Sequence, residues 1–145
     1  GDPESNMKRS EIIAYARTLI DTPYVHGGRQ PGLALDCAGV VTAISDRFKI
    51  TYKDVRTYSR IPRGLTLYNS IKPWYIEKPL WPILPGDFGL FYWDAGLKLP
   101  QHVVLFTEEG MVHAYQDVKK VVEISTRPSE WMSRMMYLFS FPGAE

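Results

Sequence analysis

The chain has 145 residues, 45% of them apolar and nine of them tyrosine, which suits one packed domain and excludes a disordered chain. Its 17 Lys and Arg meet 16 Asp and Glu for a net charge of +1, and no basic run forms a strip suited to nucleic acid. A single cysteine excludes an internal disulfide and a cysteine-based zinc site.

The opening GDPESN, residues 1–6, reads as a cloning remnant ahead of Met7, and residues 7–145 as a single domain. Without Asp2 and Glu4 the net charge becomes +3. No apolar run approaches the roughly 20 residues of a membrane span, and the start has no secretory-signal pattern.

Met7 to Ile20 reads as a helix with Ser10 as a cap, because Ile12, Ile13, Ala16, Leu19 and Ile20 recur at spacings of three and four. Pro23, Gly27, Gly28, Pro31 and Gly32 then break the chain into a loop. A second helix is expected from Asp36 or Cys37 to about Phe48, with Val40, Val41, Ile44 and Phe48 as its apolar stripe and Asp36 as N-cap. The segment Thr51 to Pro85 is rich in Pro, Tyr and Trp, and a short helix is expected over Gly64 to Ile71.

Beyond it, Asp87 to Trp93, Gln101 to Thr107, Gly110 to Ala114, Val121 to Ser125 and Met136 to Phe141 read as short strands. Glu109-Gly110 is a turn candidate between two of them, and Ser129 to Arg134 a further helical turn. Helices followed by strands imply an α+β domain with helices packed on an antiparallel sheet.

The lone Cys37 is either a core residue or a reactive thiol. Its expected place at a helix start, where unpaired N–H groups favour negative charge, suits a thiolate. A thiol nucleophile also needs a base. If Glu109-Gly110 turns the chain, His102 and His113 lie on paired strands, and both are expected to face the Cys37 helix. One imidazole would take the thiol proton and the other would orient it. Two other readings stay open: packed histidines without chemistry, or a metal site completed by Cys37 or Asp36. His26, in the glycine-rich loop, either lines the cleft or only packs. Trp74, Tyr75, Trp81, Tyr92 and Trp93 are either core or the wall of a groove that stacks on sugar or peptide.

Five motifs in order carry a resemblance: Tyr24-Val25-His26-Gly27-Gly28, Asp36-Cys37-Ala38-Gly39, Pro85-Gly86-Asp87, His102-Val103 and Val112-His113-Ala114. They resemble the Tyr-x-x-Gly-Gly, Asp-Cys-Ser-Gly, Pro-Gly-Asp, His-Val-Gly and His-Ala motifs of the NlpC-type (NlpC/P60) cysteine peptidases of bacterial cell walls. The resemblance spans Thr22 to Ala114, about two-thirds of the chain. It implies a papain-like fold and hydrolysis of an amide in peptidoglycan stem peptides, after γ-D-glutamate and before diaminopimelate or lysine. It implies Cys37 as nucleophile, His102 as general base and His113 as the residue that orients it, with no metal or cofactor. Tyr24 and Asp36 would line the cleft, Tyr24 near the oxyanion or a substrate amine and Asp36 paired with that amine.

Two positions depart from the pattern. Ala38 stands where the family has a serine that helps hold the substrate amine, and Val104 where it has glycine. Asp54-Val55-Arg56-Thr57, Tyr58-Ser59-Arg60-Ile61-Pro62, Gly64 and Leu65 are similar to an inserted segment of phage-tail and prophage members. That implies phage tail proteins as partners and a location in the virion tail or cell envelope. Two rivals are a catalytically silent tail-tip component and a Cys–His amide hydrolase or acyl-transferase with another substrate.

Overall fold

The structure, a computed structural model, describes residues 6–54 and 65–145. Four α-helices are described: α1 (Arg9–Thr18), α2 (Cys37–Arg47), α3 (Thr66–Ile71) and α4 (Ser129–Met132). The strands are β1 (Arg29–Gln30), β2 (Ala34–Leu35), β3 (Ile76–Lys78), β4 (Phe88–Phe91), β5 (His102–Phe106), β6 (Met111–Tyr115), β7 (Lys120–Ile124) and β8 (Met135–Ser140). β1 and β2 form a small hairpin, and the others form an antiparallel six-stranded sheet in the order β3-β8-β4-β5-β6-β7. The α+β expectation and the strands read from sequence hold.

Both faces of the central strands are buried, so β4 and β5 read as continuous apolar runs rather than alternating ones. Val103 and Leu105 of β5 and Val112 and Ala114 of β6 belong to the core under α1 and α2. The alternate residues Val104, Phe106 and Met111 pack with Phe91 and Leu138 on the opposite face, against Trp131 and Met132 of α4. This is the two-residue alternation of a strand applied to two different cores. Val104, the larger side chain at the family's glycine position, is a filled site in the second core.

Some elements differ from expectation. α1 begins at Arg9 after Lys8, with no side-chain cap, so Ser10 lies inside the helix; Glu11 instead accepts from the Lys8 N–H at 3.2 Å. α3 begins at Thr66, and the expected start at Gly64 lies outside the described residues. The similarity over Val55 to Gly64 also lies outside them. β3 was hidden because Ile76-Glu77-Lys78 lacks alternation, and its pairing with β8 comes from distant chain. The aromatic residues of the middle region do not form one cluster. Tyr75 is buried beside Phe88 and Phe141, Trp81 is 76% exposed, and Trp93 packs on His102. Their neighbours in space are set by sheet order, which nearness in sequence does not reveal.

The Pro-Gly-Asp motif acts as a brace. Asp87 is fully buried and accepts from Arg9 of α1 at 2.7 Å, from Lys78 of β3 and from the Leu84 N–H. One carboxylate thus ties the first helix and an edge strand to the turn that starts β4. Removing it leaves two cations facing a buried void. Asp87→Ala is expected to lower unfolding free energy in urea by roughly 3 kcal/mol or more, the scale for breaking a buried pair from one side.

Candidate active site

Asp36 caps α2 as its residue type predicts, accepting from the Gly39 N–H at 2.8 Å. The same carboxylate accepts from the Gly27 N–H at 2.9 Å and from Arg29 at 2.6 Å. Arg29 is itself buried and also pairs with Asp54 at 2.8 Å. Gly39 is required here. A Cβ at this position would stand 2.5 Å from the Gly28 carbonyl oxygen, so only glycine lets the loop lie against the helix start.

Cys37 is therefore the first residue of a helix whose start is fixed. Its side chain is buried, and the thiol donates to the Gln101 carbonyl at 3.9 Å, at the residue before β5. The backbone N–H groups of Val103 and Ala38 also approach the sulfur. The helix start was expected to favour the thiolate, but a larger effect opposes it. Burial, and after it the Asp36 carboxylate, push the thiol up to about 12, against the lowering by the two N–H groups and Arg29. The resting sulfur is a neutral thiol.

His102 and His113 are diagonal neighbours on β5 and β6, and His102 Nε2 lies 2.7 Å from His113 Nδ1. Their direction differs from expectation. They alternate with Val103, Val112 and Ala114, so their rings lie on the α4 face of the sheet and not on the face that α2 covers. The thiol reaches the backbone of the same strand from the other side, at the end where β5 begins. Among the described residues, the thiol's polar contacts are backbone groups and not imidazoles.

An aromatic box encloses the two rings. Trp93 lies over His102 at 4.9 Å, Tyr115 stacks on His113 at 4.9 Å, and Trp131 stands perpendicular to His113 at 5.2 Å. Burial holds both histidines neutral: His102 lies well below its ordinary value, His113 next to it adding to the effect, and His113 falls to about 4.

Tyr24 bridges to Leu35 through the backbone and packs part-buried on the first core, beside the Cys37 helix. His26 sits part-buried in the turn before Gly27. A shallow cleft runs beside α2, lined by Arg29, Ala38, Thr42, Tyr52, Asp54 and Tyr75 among others. Ala38, at the family's serine position, opens onto it. Among the described residues, no three His, Cys, Asp or Glu side chains gather as a metal-binding group, and no helix is long and apolar enough to cross a membrane. Arg29, Tyr115 and Trp131 were not singled out by sequence reasoning. Tyr115 had a signal, since a residue two beyond His113 on a strand must share its face.

No family model and no curated protein sequence matches the chain. Solved structures do. An NlpC/P60 family protein of Bacillus cereus superposes with a TM-score of 0.69 at 19% identity, over 92% of this chain and 40% of that one. The NlpC/p60 domain of the peptidoglycan hydrolase SagA gives 0.63 at 21%, over 93% of this chain and 100% of that one. The peptidoglycan hydrolase RipB of Mycobacterium tuberculosis gives 0.61 at 18%, over 90% of this chain and 63% of that one. The chain thus spans less than half of the Bacillus cereus protein and the whole of the SagA domain. Its fold is the papain-like α+β fold of NlpC/P60 domains.

Two pH effects follow from the burial. The folded chain holds His113 near 4 against 6.5 for the free group, and His102 is lowered as well. The unfolded chain therefore binds more protons below pH 6.5, so stability falls as pH drops through that value and levels off once the folded histidines protonate. His113→Asn is expected to flatten the change in urea midpoint between pH 7 and pH 4.5. For the raised thiol, iodoacetamide labelling of Cys37 is expected to climb about tenfold per pH unit from pH 7 to 9. A plateau at neutral pH would contradict the neutral-thiol assignment.

Proposed function

We propose that the chain is a member of the NlpC/P60 family and a cysteine endopeptidase that hydrolyses an amide in peptidoglycan stem peptides. The observation that carries this reading is the 2.7 Å His102–His113 contact on the strand at whose start the Cys37 thiol rests. The peptidoglycan hydrolases that share the fold support the substrate class. The γ-D-glutamyl bond and a phage tail as carrier rest on the sequence resemblance alone.

In this reading Cys37 is the nucleophile and His102 the base. His113 is a positioning residue that holds His102 through its Nε2. That contact occupies Nε2 of His102, so Nδ1 is the nitrogen that takes the proton once the thiol, which rests on the Gln101 carbonyl, turns round the start of β5 to meet it. Because thiol and imidazole are both neutral at rest, the proton moves to His102 as sulfur attacks the carbonyl carbon. The backbone N–H of Cys37, unpaired at the helix start, donates to the oxygen on which charge develops. The imidazolium of His102 gives its proton to the leaving amine, which departs as the thioester forms. Water, deprotonated by the same nitrogen, then releases the acid and regenerates the thiol.

Asp36 bears on the choice of substrate. Arg29 and two N–H groups already engage its carboxylate, so a substrate amine would have to compete with a buried guanidinium. With Ala38 in place of serine, a stem peptide with a blocked N-terminus is the better fit.

Mass spectrometry of defined stem peptides tests the assignment. Wild type is expected to yield the two fragments, Cys37→Ala none, and His102→Ala cleavage slower by roughly a hundredfold or more. Intact peptides from the wild type across lysine and diaminopimelate stems, with free and blocked N-termini, would refute the peptidase assignment.

A further inference from the structure

The pair of histidines has two neutral arrangements, and only one serves a base. If His102 Nε2 carries the hydrogen and His113 Nδ1 accepts it, His102 Nδ1 keeps a lone pair. In the reverse arrangement, His113 donates and His102 is protonated on Nδ1, where it cannot take a proton from the thiol. The 2.7 Å contact fits both. The deciding atom is the other nitrogen of His113. The His113 side chain is fully buried, and its Nε2 has no hydrogen-bond partner among the described residues.

His113 and Tyr115 lie two apart on β6 and stack 4.9 Å apart at 25°. Trp131 is nearly equidistant from them, at 5.2 and 5.5 Å, and nearly perpendicular to both, at 74° and 82°. A ring lying over the outer face of either would be about twice as far from the other. Trp131 therefore stands beside the stack. At such short centroid distances, two ring edges meeting head-on would overlap, so the indole turns its face to the edges of His113 and Tyr115. Trp93 packs perpendicular to Trp131 at 5.2 Å and closes the box over His102.

An aromatic face is negative and a ring N–H is positive. If the Nε2 edge is the one that meets that face, a hydrogen on Nε2 is attracted to it and a bare lone pair is repelled. We propose that the unpartnered Nε2 edge of His113 meets the indole face of Trp131 and that this sets the tautomer of the pair: the face accepts the Nε2–H, so that His113 Nδ1 accepts from His102 Nε2–H and His102 Nδ1 is left as a free lone pair. Trp131 touches no reacting atom in this role and is a positioning residue. The inference rests on the proposed use of His102 as base only for its purpose; the tautomer itself is a property of the folded chain.

The test is ¹⁵N NMR of the imidazoles in labelled protein at neutral pH, on wild type, Trp131→Phe and Trp131→Leu. Wild type is expected to show hydrogen on Nε2 of both rings and bare Nδ1 on both. Trp131→Phe, which keeps an aromatic face, is expected to retain this pattern. Trp131→Leu is expected to shift the tautomer ratio by roughly two- to fivefold towards His113 Nδ1–H, the size of a weak hydrogen bond to a π face. In cleavage assays it is expected to lower kcat by a similar factor with KM unchanged.

Hydrogen on His113 Nδ1 in the wild type overturns the proposal. So does an unchanged tautomer ratio in folded Trp131→Leu, which would assign the Nε2–H to water or to packing alone. If Trp131→Leu does not fold, the wild-type tautomer and its retention in Trp131→Phe decide. A chain that shows the tautomer switch and cleaves nothing loses the peptidase reading and keeps this one.

Discussion

The carboxylate of Asp36 is the joint on which the site depends. It caps α2, holds the Gly27 turn and neutralises a buried arginine, and Gly39 is bare so that the loop carbonyl of Gly28 can lie against the helix. Cys37 has no freedom of its own after that. The same charge opposes ionisation of the neighbouring sulfur, second only to burial. Position and reactivity pull in opposite directions at this residue, and the structure favours position.

The two histidines repeat the theme on the other face of the sheet. Walls of Trp93, Tyr115 and Trp131 order the imidazoles and keep both uncharged. The resting site thus carries no charge on sulfur or imidazole. Charge separates only when a proton leaves the thiol, and it is then met by N–H groups already oriented at the helix start. A site of this kind is quiet towards small electrophiles and depends on a bound substrate to make proton transfer worthwhile.

Much of this was legible in the chain. The helix at Cys37 could be read because an N-cap residue precedes an apolar stripe, and the β5–β6 hairpin because Gly110 marks the turn between two apolar runs. The proximity of His102 and His113 followed from that hairpin. Their face did not. A strand buried on both sides shows no polar alternation, so nothing in His102 to Phe106 told which core each residue served. Arg29 and Trp131 were illegible for another reason. Their partners lie 7 and 18 residues away, across a loop in one case and beyond the intervening strand β7 in the other, and no local pattern encodes such pairs.

The strand order carries a consequence for how the molecule comes into being. β8 lies between β3 and β4, so residues 135–140 occupy an interior place in a sheet whose other strands are made before them. During synthesis β3 has no neighbour, and β4 exposes one unsatisfied edge together with Phe88 and Phe91. Such an edge is a template for other chains. The nascent chain therefore exposes this edge until β8 emerges and pairs with it. Insertion of that strand joins β3 to β4 and brings Phe139 to one core and Leu138 to the other.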